Sequence, residues 1–199
     1  MNERWRVWTM TAAFYDSQDP LSFVFALSSL LPIVIVIFVA GLASATLSPQ
    51  QTPALILLLG FIHNTVLNAV LKAFIQSPRP NSRLHDTSYK MAPSLHGMPS
   101  DHAQFMFFFT TWLVRKAGIY GIPIPLGMWA FLLLSSIFVS YGRIYNEFHT
   151  TIQVLVGVVL GILNAYLCTT PIGDSLLRQV AIAVAPIREF CIGWTQYIR

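Results

Sequence analysis

Residues 53–75 read PALILLLGFIHNTVLNAVLKAFI, a stretch that is mostly apolar. A helix that crosses a bilayer needs about 20 such residues, so the stretch predicts a transmembrane helix. Within it, Asn64, Asn68 and Lys72 recur at every fourth position, which places the three polar side chains on one stripe of the helix. Polar groups inside a membrane are expensive, so that stripe must face protein or water and is a candidate functional feature.

Four further apolar runs predict spans before and after this one. They are Leu21 to Leu47, His102 to about Gly118, Pro123 to Tyr141, and Thr150 to Cys168. The tail from Asp174 to Arg199 is interrupted by charges and by Pro186, which favours a helix on the membrane surface rather than a sixth crossing. The N-terminal segment, rich in Arg and Trp, is expected to anchor at the interface in the same way. The predicted fold class is therefore an all-α polytopic membrane helical bundle with about five spans and interfacial helices at the termini.

The composition supports a membrane protein and excludes two other classes. Of the 199 residues, 55% are hydrophobic and 10% are charged, and the mean hydropathy is +0.61. The 12 Lys and Arg residues against 8 Asp and Glu are too sparse for the continuous basic face that nucleic acid requires. The abundance of apolar residues excludes a disordered chain. Cys168 and Cys191 are too few for a disulfide framework and lack metal-binding spacing.

Three polar clusters lie at span ends that emerge on one side of the membrane. The first continues from Lys72 to Arg79, where Pro78 and Pro80 hold the chain extended. The alternative interpretation is that both cations only reach the membrane boundary along their apolar stems. Whether Lys72 and Arg79 belong to a functional site therefore depends on which residues of the other two clusters lie close to them.

The second cluster is the start of the third span, Pro99-Ser100-Asp101-His102, with Gln104 close behind. Ser100 or Asp101 is expected to be the N-cap of a helix, and Asp101 with Gln104 would form a capping box. The free N–H groups and the positive dipole end at a helix start favour an anion such as phosphate. The alternative is an ordinary cap with an interfacial His102.

The third cluster lies between the last two spans and contains Arg143 and His149. Gln153 follows His149 by four residues, so a helix starting there would place both on one face. The carbonyl of Gln153 could then accept the Nδ1 proton of His149 and fix the ring tautomer. Gly157 and Gly161 continue the same stripe and predict close packing of a neighbouring helix. The alternative is a histidine in an ordinary interhelical turn.

Together the clusters supply three cations, two histidines and a helix N-terminus on one membrane face. This combination suits phosphoryl transfer, in which fixed cations and N–H donors offset the charge on the phosphate oxygens. The clusters contain no paired carboxylates of the kind that a two-metal centre uses, so no metal is expected. His85, Asp86 and His96 are too poorly spaced to make a convincing metal site elsewhere.

The spacing within the clusters matches a known pattern. Six residues separate Lys72 from Arg79-Pro80, the motif Pro99-Ser100-x-His102 follows, and five residues separate Arg143 from His149. The sequence resembles the type 2 phosphatidic acid phosphatase superfamily of membrane lipid phosphatases. Within this superfamily, three segments resemble the dolichyl-diphosphatase branch: NAVLKAFIQSPRP (68–80), GMPSDHAQFMFF (97–108) and VSYGRIYNEFHTTIQV (139–154). The resemblance covers about half of the chain, roughly residues 68–161.

The resemblance implies a role for each site residue. His149 would be the nucleophile that takes the phosphoryl group, Gln153 would orient it, and His102 would be the acid for the leaving oxygen and then the base for the hydrolytic water. The phosphate oxygens would be held by Lys72, Arg79, Arg143, the Ser100 hydroxyl and the Asp101 backbone N–H. Family members need no metal or other cofactor. We also expect a single membrane-embedded phosphatase domain over residues 1–199, with its catalytic core at about 64–165.

Three positions depart from the wider superfamily. Gln153 stands where most members have aspartate, although the dolichyl branch resembles this chain in having glutamine there; a neutral amide would let His149 stay a nucleophile at lower pH. Asp101 replaces a small residue, and its carboxylate is expected to point outward as part of the cap, because it would repel phosphate. Gly142 replaces a serine before Arg143 and stays outside the candidate site.

The branch implies hydrolysis of dolichyl diphosphate, a polyprenyl diphosphate lipid, to dolichyl phosphate and phosphate at the membrane surface. It also implies an endoplasmic reticulum membrane with the site facing the lumen, where the product would serve protein N-glycosylation. The charge distribution by itself leaves the orientation open, because seven basic residues on the side of the site oppose five on the other. Two alternatives remain: the same chemistry on phosphatidate, a sphingoid-base phosphate or another polyprenyl diphosphate, and a non-catalytic lipid-binding protein.

Overall fold

The computed structural model describes residues 5–8, 13–45, 51–80 and 96–197. Two short strands come first, β1 (Trp5–Trp8) and β2 (Ala13–Asp16). The helices that follow in the described residues are α1 (Pro20–Ser28), α2 (Leu31–Ser44), α3 (Gln51–Ile75), α4 (Asp101–Ile119), α5 (Leu126–Tyr145), α6 (Thr151–Cys168) and α7 (Pro171–Tyr197).

These helices confirm the predicted all-α membrane bundle. Within the described residues, four helical segments are long and apolar enough to cross a membrane, namely Pro20–Ser44, Gln51–Ile75, Leu126–Tyr145 and Thr151–Cys168. They coincide with four of the five predicted spans. Large apolar side chains such as Ile37, Leu134 and Leu163 are exposed on their outer faces, as expected of surfaces that contact lipid.

The remaining predicted span is helix α4, which has the expected length but is more polar. It packs against α3, α5 and α6, and Ala103, Gln104 and Phe108 are wholly buried along it. Because neighbouring helices surround these side chains, α4 does not need the continuous apolar surface of a lipid-facing helix. Its polar residues can therefore contribute to a site inside the bundle.

The first apolar segment is broken between α1 and α2. Pro32, near the start of α2, has no N–H to donate to the carbonyl four residues earlier, so one continuous helix cannot form there. The Ser29 hydroxyl instead donates to the Ala26 carbonyl at 2.5 Å. The break brings the backbone of Ser29 against the start of α4, where its carbonyl contacts His102.

The N-terminus differs from the expected interfacial helix. Strands β1 and β2 pair antiparallel, with Trp5 opposite Asp16 and Trp8 opposite Ala13, and β2 packs against α1. The segment is rich in aromatic residues, which favour extended backbone over helix. The expectation of a helix is therefore wrong at this end of the chain, whereas the C-terminal segment does form one, α7.

The predicted close packing at the α6 glycines is confirmed. Helix α6 lies against α4 with Gly157 beside the carbonyl of Ser100 and Gly161 beside the carbonyl of Gln104. A Cβ atom at either position would overlap those backbone atoms, so this approach requires glycine. The contact brings the start of α4 next to the start of α6, where the polar clusters lie.

A buried cluster of amides links α3, α4 and α6 below those helix starts. Asn68 Nδ2 donates to Gln104 Oε1 at 2.8 Å, and Gln104 Nε2 donates to Asn64 Oδ1 at 3.0 Å. Asn164 Nδ2 also donates to Asn64 Oδ1, at 2.9 Å. All four side chains are buried. The prediction that the α3 stripe faces protein is thus confirmed for Asn64 and Asn68.

Candidate active site

The three polar clusters meet where α3 and α5 end and where α4 and α6 begin. Arg79 Nη1 lies 3.0 Å from His149 Nε2, which joins the first cluster to the third. The Ser100 N–H donates to the Gln153 carbonyl at 3.0 Å, which joins the second cluster to the third. The prediction that these clusters share one end of the bundle is confirmed.

His149 lies in the turn between α5 and α6 and is buried. Its Nδ1 is 2.8 Å from the carbonyl oxygen of Gly97. A carbonyl oxygen only accepts, so Nδ1 carries the proton and Nε2 presents its lone pair to Arg79. Burial, and then the charges of Arg143, Arg79 and Lys72, lower the pKa of His149 well below its usual value. The ring is therefore neutral near pH 7, and a nucleophilic nitrogen is held among cations.

The prediction that the Gln153 side chain accepts a hydrogen bond from His149 is wrong. The Gln153 side chain folds back onto the start of α6, where its Oε1 accepts from the Thr150 N–H at 3.2 Å. In return, Thr150 Oγ1 accepts from the Gln153 N–H at 3.3 Å. This capping box directs the amide oxygen to the helix cap, and the carbonyl of Gly97 takes its place against the imidazole.

Gln153 instead holds the segment that leads to Arg79. Its Nε2 donates to the Ser77 hydroxyl at 3.0 Å and to the Pro78 carbonyl at 2.8 Å. Gly97 contacts the same segment, because its N–H donates to the Ser77 carbonyl at 2.7 Å. A Cβ atom at Gly97 would lie 2.5 Å from the Gln153 amide oxygen, so glycine is needed for this approach. One amide thereby acts on the position of Arg79 rather than on the histidine ring.

Helix α4 begins at Asp101, and Ser100 is its N-cap residue. The expected capping box between Asp101 and Gln104 does not form, because the Gln104 side chain is engaged with Asn64 and Asn68. The Ser100 hydroxyl is fully buried and has no hydrogen-bond partner among the described residues. A buried hydroxyl at a helix N-terminus is well suited to donate to a phosphate oxygen.

Three cations complete the cluster. Arg79 and Arg143 are buried; Arg79 Nη1 donates to the Phe148 carbonyl at 3.1 Å, and the Arg143 guanidinium stacks 4.0 Å above the Phe148 ring. The Nε of Arg143 has no partner among the described residues. Lys72 is half-buried at the end of α3 and lies within electrostatic range of both arginines. Burial lowers the pKa of Arg79 to about 10 although the charge of Asp101 opposes this, so Arg79 remains protonated near neutral pH.

His102 contacts the break between α1 and α2, an element that no sequence motif connects with the site. Its Nε2 lies 3.3 Å from the Ser29 carbonyl oxygen, at the break between α1 and α2. Since that oxygen only accepts, Nε2 carries a proton, and Nδ1 is the ring nitrogen left to exchange a proton with a substrate. The one signal in the sequence for this contact is Pro32, which breaks the first span at this level.

A second unanticipated contact ties α1 to the turn that carries His149. Ser22 Oγ donates to Asn146 Oδ1 at 2.8 Å, and Asn146 Nδ2 donates to the Ser22 carbonyl at 2.9 Å. Both residues are buried, and no local pattern connects positions 124 residues apart. The glycine at 142 is explained nearby, because a Cβ atom on Gly142 would lie 2.9 Å from the Phe25 ring.

The carboxylate of Asp101 acts on the cation cluster. Asp101 is half-buried at the first position of α4, and its charge interacts with Lys72, Arg79 and Arg143 alike. The capping box that was to hold it outward is absent. The carboxylate therefore offsets part of the positive charge of the site.

The described residues contain no group of three His, Cys, Asp or Glu side chains that could hold a metal ion. His85 and Asp86 lie outside the described residues. That the reaction needs no metal stays a prediction.

Comparison with known proteins agrees with the geometry. The model of the PAP2 superfamily matches residues 53–175, a range that includes every candidate site residue. Dolichyldiphosphatase 1 from Rhinolophus ferrumequinum is 31% identical over 94% of this chain and 80% of its own length. Dolichyldiphosphatase from Saccharomyces cerevisiae is 31% identical over 86% of this chain and 72% of its own length. Lipid phosphate phosphatase gamma from Arabidopsis thaliana is 30% identical over 77% of this chain and 67% of its own length. No solved structure matches the chain.

Proposed function

Because the chain belongs to the PAP2 superfamily, we propose that it is a membrane phosphatase that hydrolyses dolichyl diphosphate to dolichyl phosphate and inorganic phosphate. The similar proteins named dolichyldiphosphatase support the substrate. The observation that carries the chemistry is the state of His149, a neutral ring with Nδ1–H held by Gly97 and the Nε2 lone pair beside Arg79. In the proposed reaction this nitrogen is the nucleophile.

The first step transfers the terminal phosphoryl group to His149. Nε2 attacks the terminal phosphorus as the bond from that phosphorus to the bridging oxygen breaks, and the bridging oxygen leaves on dolichyl phosphate. His102 would enter this step protonated on both ring nitrogens; its Nδ1 gives the bridging oxygen a proton, while Nε2 stays hydrogen-bonded to the Ser29 carbonyl. Arg79 must exchange its contact with Nε2 for a phosphate oxygen as substrate binds.

The second step releases inorganic phosphate. A water molecule attacks the phosphohistidine, His102 takes one of its protons, and the P–N bond breaks so that the electron pair returns to Nε2. In both steps the phosphate oxygens would be held by Lys72, Arg79, Arg143, the Ser100 hydroxyl and the Asp101 N–H. Gln153 supports this arrangement by fixing the segment before Arg79.

The proposal includes a cellular setting. We infer an endoplasmic reticulum membrane with the site facing the lumen, where dolichyl phosphate would return to the carrier cycle of protein N-glycosylation. We also propose one phosphatase domain over residues 1–199 with its catalytic core at about 64–165. The names of the relatives and the apolar spans support a membrane enzyme of this kind.

Phosphate release by the purified protein tests the reaction. The assay contains detergent and EDTA, offers dolichyl diphosphate, dolichyl phosphate and phosphatidate in parallel, and includes a His149→Ala variant. We expect release from the diphosphate to exceed release from the two monoesters, and we expect the variant to lose it. Release that depends on added divalent metal would contradict the metal-free mechanism.

A second candidate function is the same chemistry on another lipid phosphate. The similarity to lipid phosphate phosphatase gamma favours it. Preferential release from phosphatidate in the same assay would support this alternative and retain the roles of the site residues. No release from any lipid by folded protein would instead indicate a non-catalytic lipid-binding protein.

A further inference from the structure

A cavity of about 580 Å³ lies at the end of the bundle opposite to the candidate active site. The second half of α2, the first turns of α3 and the second half of α4 form its walls, which include Val39, Leu42, Ala54, Leu57, Phe109 and Trp112. Helix α4 reaches the active site at its start and the cavity at residues 109–117. At a rise of 1.5 Å per residue, the two sites are roughly 12 to 24 Å apart along the helix.

The rim of this cavity is cationic. Lys116 and Arg178 line it and share one carboxylate, because Lys116 Nζ bonds to one oxygen of Asp174 and Arg178 Nε donates to the other at 2.8 Å. Arg178 Nη2 also donates to the Tyr120 hydroxyl at 3.0 Å. Two cations against one anion leave a net positive charge. The Arg178 side chain is 45% exposed, so it remains accessible to a ligand.

We propose that this cavity binds an anionic phospholipid, with its acyl chains between α2, α3 and α4 and its phosphate beside Lys116 and Arg178. The apolar walls suit hydrocarbon, and the charge of the rim complements a phosphate group. Phe38, at the edge of the cavity, is 65% exposed, so a lipid can enter sideways from the bilayer.

The charge of the rim separates this ligand from a purely hydrocarbon one. The far end of a polyprenyl tail carries no charge and would gain nothing from cations at the rim. Among the described side chains at this end of the bundle, Arg115 adds a further cation, stacked 3.9 Å over the Tyr166 ring. The site is distinct from the catalytic cluster, so this inference does not depend on the proposed reaction.

Native mass spectrometry and thermal unfolding of the purified full chain test the proposal. The probes are dioleoyl phosphatidylserine and dioleoyl phosphatidylcholine, which differ in headgroup charge but not in acyl chains. We expect the serine lipid to bind more tightly and to raise Tm further. Arg178→Gln should reduce this preference about fivefold, as expected for one basic group near an anionic lipid. Leu42→Trp should fill the cavity and reduce binding, whereas Leu163→Trp, on the exposed face of α6, should leave it unchanged.

A variant that changes the charge of the rim in the opposite direction distinguishes lipid binding from a purely structural ion pair. Asp174→Asn breaks the same ion pair as Arg178→Gln but makes the rim more positive. Lipid binding predicts that Asp174→Asn strengthens the preference for the serine lipid, while a purely structural pair predicts a lower Tm in both variants and an unchanged preference. Equal binding of the two lipids by the unmodified chain would also overturn the proposal.

Discussion

The proposed nucleophile, His149, makes two ring hydrogen bonds in opposite senses. Nδ1 donates to the Gly97 carbonyl, and Nε2 accepts from Arg79. Only the neutral ring with its proton on Nδ1 satisfies both contacts, so the structure selects one tautomer and one orientation. A cation that donates to Nε2 also keeps a second proton off that nitrogen.

The protonation of His149 leads to a pH prediction. Burial, followed by the charges of Arg143, Arg79 and Lys72, lowers its pKa, so we expect kcat/KM for the diphosphate to persist as the pH falls below about 6.5. Stability should behave differently. The unfolded chain binds this proton near pH 6.5 and the folded chain does not, so the contribution to stability is complete above that pH and decreases below it.

Parallel measurements of kcat/KM and Tm between about pH 5 and 8 check both statements. A His149→Gln variant is the control, since its Tm should fall less steeply as the pH is lowered. Equal slopes for the two proteins would show that the pKa of His149 is not lowered.

Asp101 is expected to limit how tightly the site holds the phosphate product. Its charge acts on all three cations, and a carboxylate close to a bound anion opposes it by about 1 kcal/mol where water screens the pair. Asp101→Asn should therefore strengthen inhibition by inorganic phosphate about fivefold. Inhibition constants for phosphate measured on both proteins test this. An unchanged constant would mean that the carboxylate is screened from the site.

The site depends on how the helix ends are held relative to one another. The Ser22–Asn146 pair fixes the α5–α6 turn against α1 through two hydrogen bonds. Because that turn carries His149, we regard Asn146 as a positioning residue.

Asn146→Ala should lower kcat about tenfold, because a small displacement of a reacting nitrogen is costly in rate. Ser136→Ala is a matched control: Ser136 is also buried and hydrogen-bonded, to Thr110 at 2.8 Å, but lies away from the turn. Both variants should lose some Tm, and only Asn146→Ala should lose kcat when assayed well below both Tm values. A parallel loss of kcat in Ser136→Ala would reduce the role of Asn146 to general stability.

The contact between α4 and α6 gives a prediction about stability. A Cβ atom at Gly161 would overlap the backbone of Gln104 and Phe108, and neither group can rotate away. We expect Gly161→Ala to lower the free energy of unfolding by roughly 2 kcal/mol, as overpacking of a core usually does. Gly127→Ala is the control, since a Cβ there meets nothing within 4 Å. Thermal unfolding in detergent should rank Gly161→Ala well below Gly127→Ala.

Across the whole molecule, the spacing in the sequence was sufficient to predict which side chains lie together in the candidate site. It was not sufficient to predict which groups orient them. Lys72, Arg79, His102, Arg143 and His149 each stand in a local pattern tied to a span end, so the end-to-end order of the spans brings them together. The orienting partners of the two histidines are backbone carbonyls far along the chain, 52 residues away for His149 and 73 for His102. Every residue carries a carbonyl, so no residue type marks such a contact in the sequence.

The two ends of the bundle should be accessible to reagents from opposite sides of the membrane. Determining which end faces the lumen tests the proposed lumenal position of the active site. Gln18 is exposed near the active-site end, because α1 starts beside it and Ser22 contacts Asn146. Pro123 is exposed in the α4–α5 connection at the other end. Single cysteines at these positions, in a chain with Cys168→Ser and Cys191→Ser, can be labelled with a membrane-impermeant maleimide.

In sealed microsomes whose outer face is cytosolic, we expect Pro123→Cys to react at once and Gln18→Cys to react only after detergent opens the vesicles. Opposite accessibility is expected because α4 runs from one end of the bundle to the other, and the direction follows from the proposed lumenal site, which lies at the end of Gln18. The reverse pattern would place the site in the cytosol while leaving the bundle intact. Labelling of both in sealed vesicles would mean that the described helices do not separate the two ends across a bilayer.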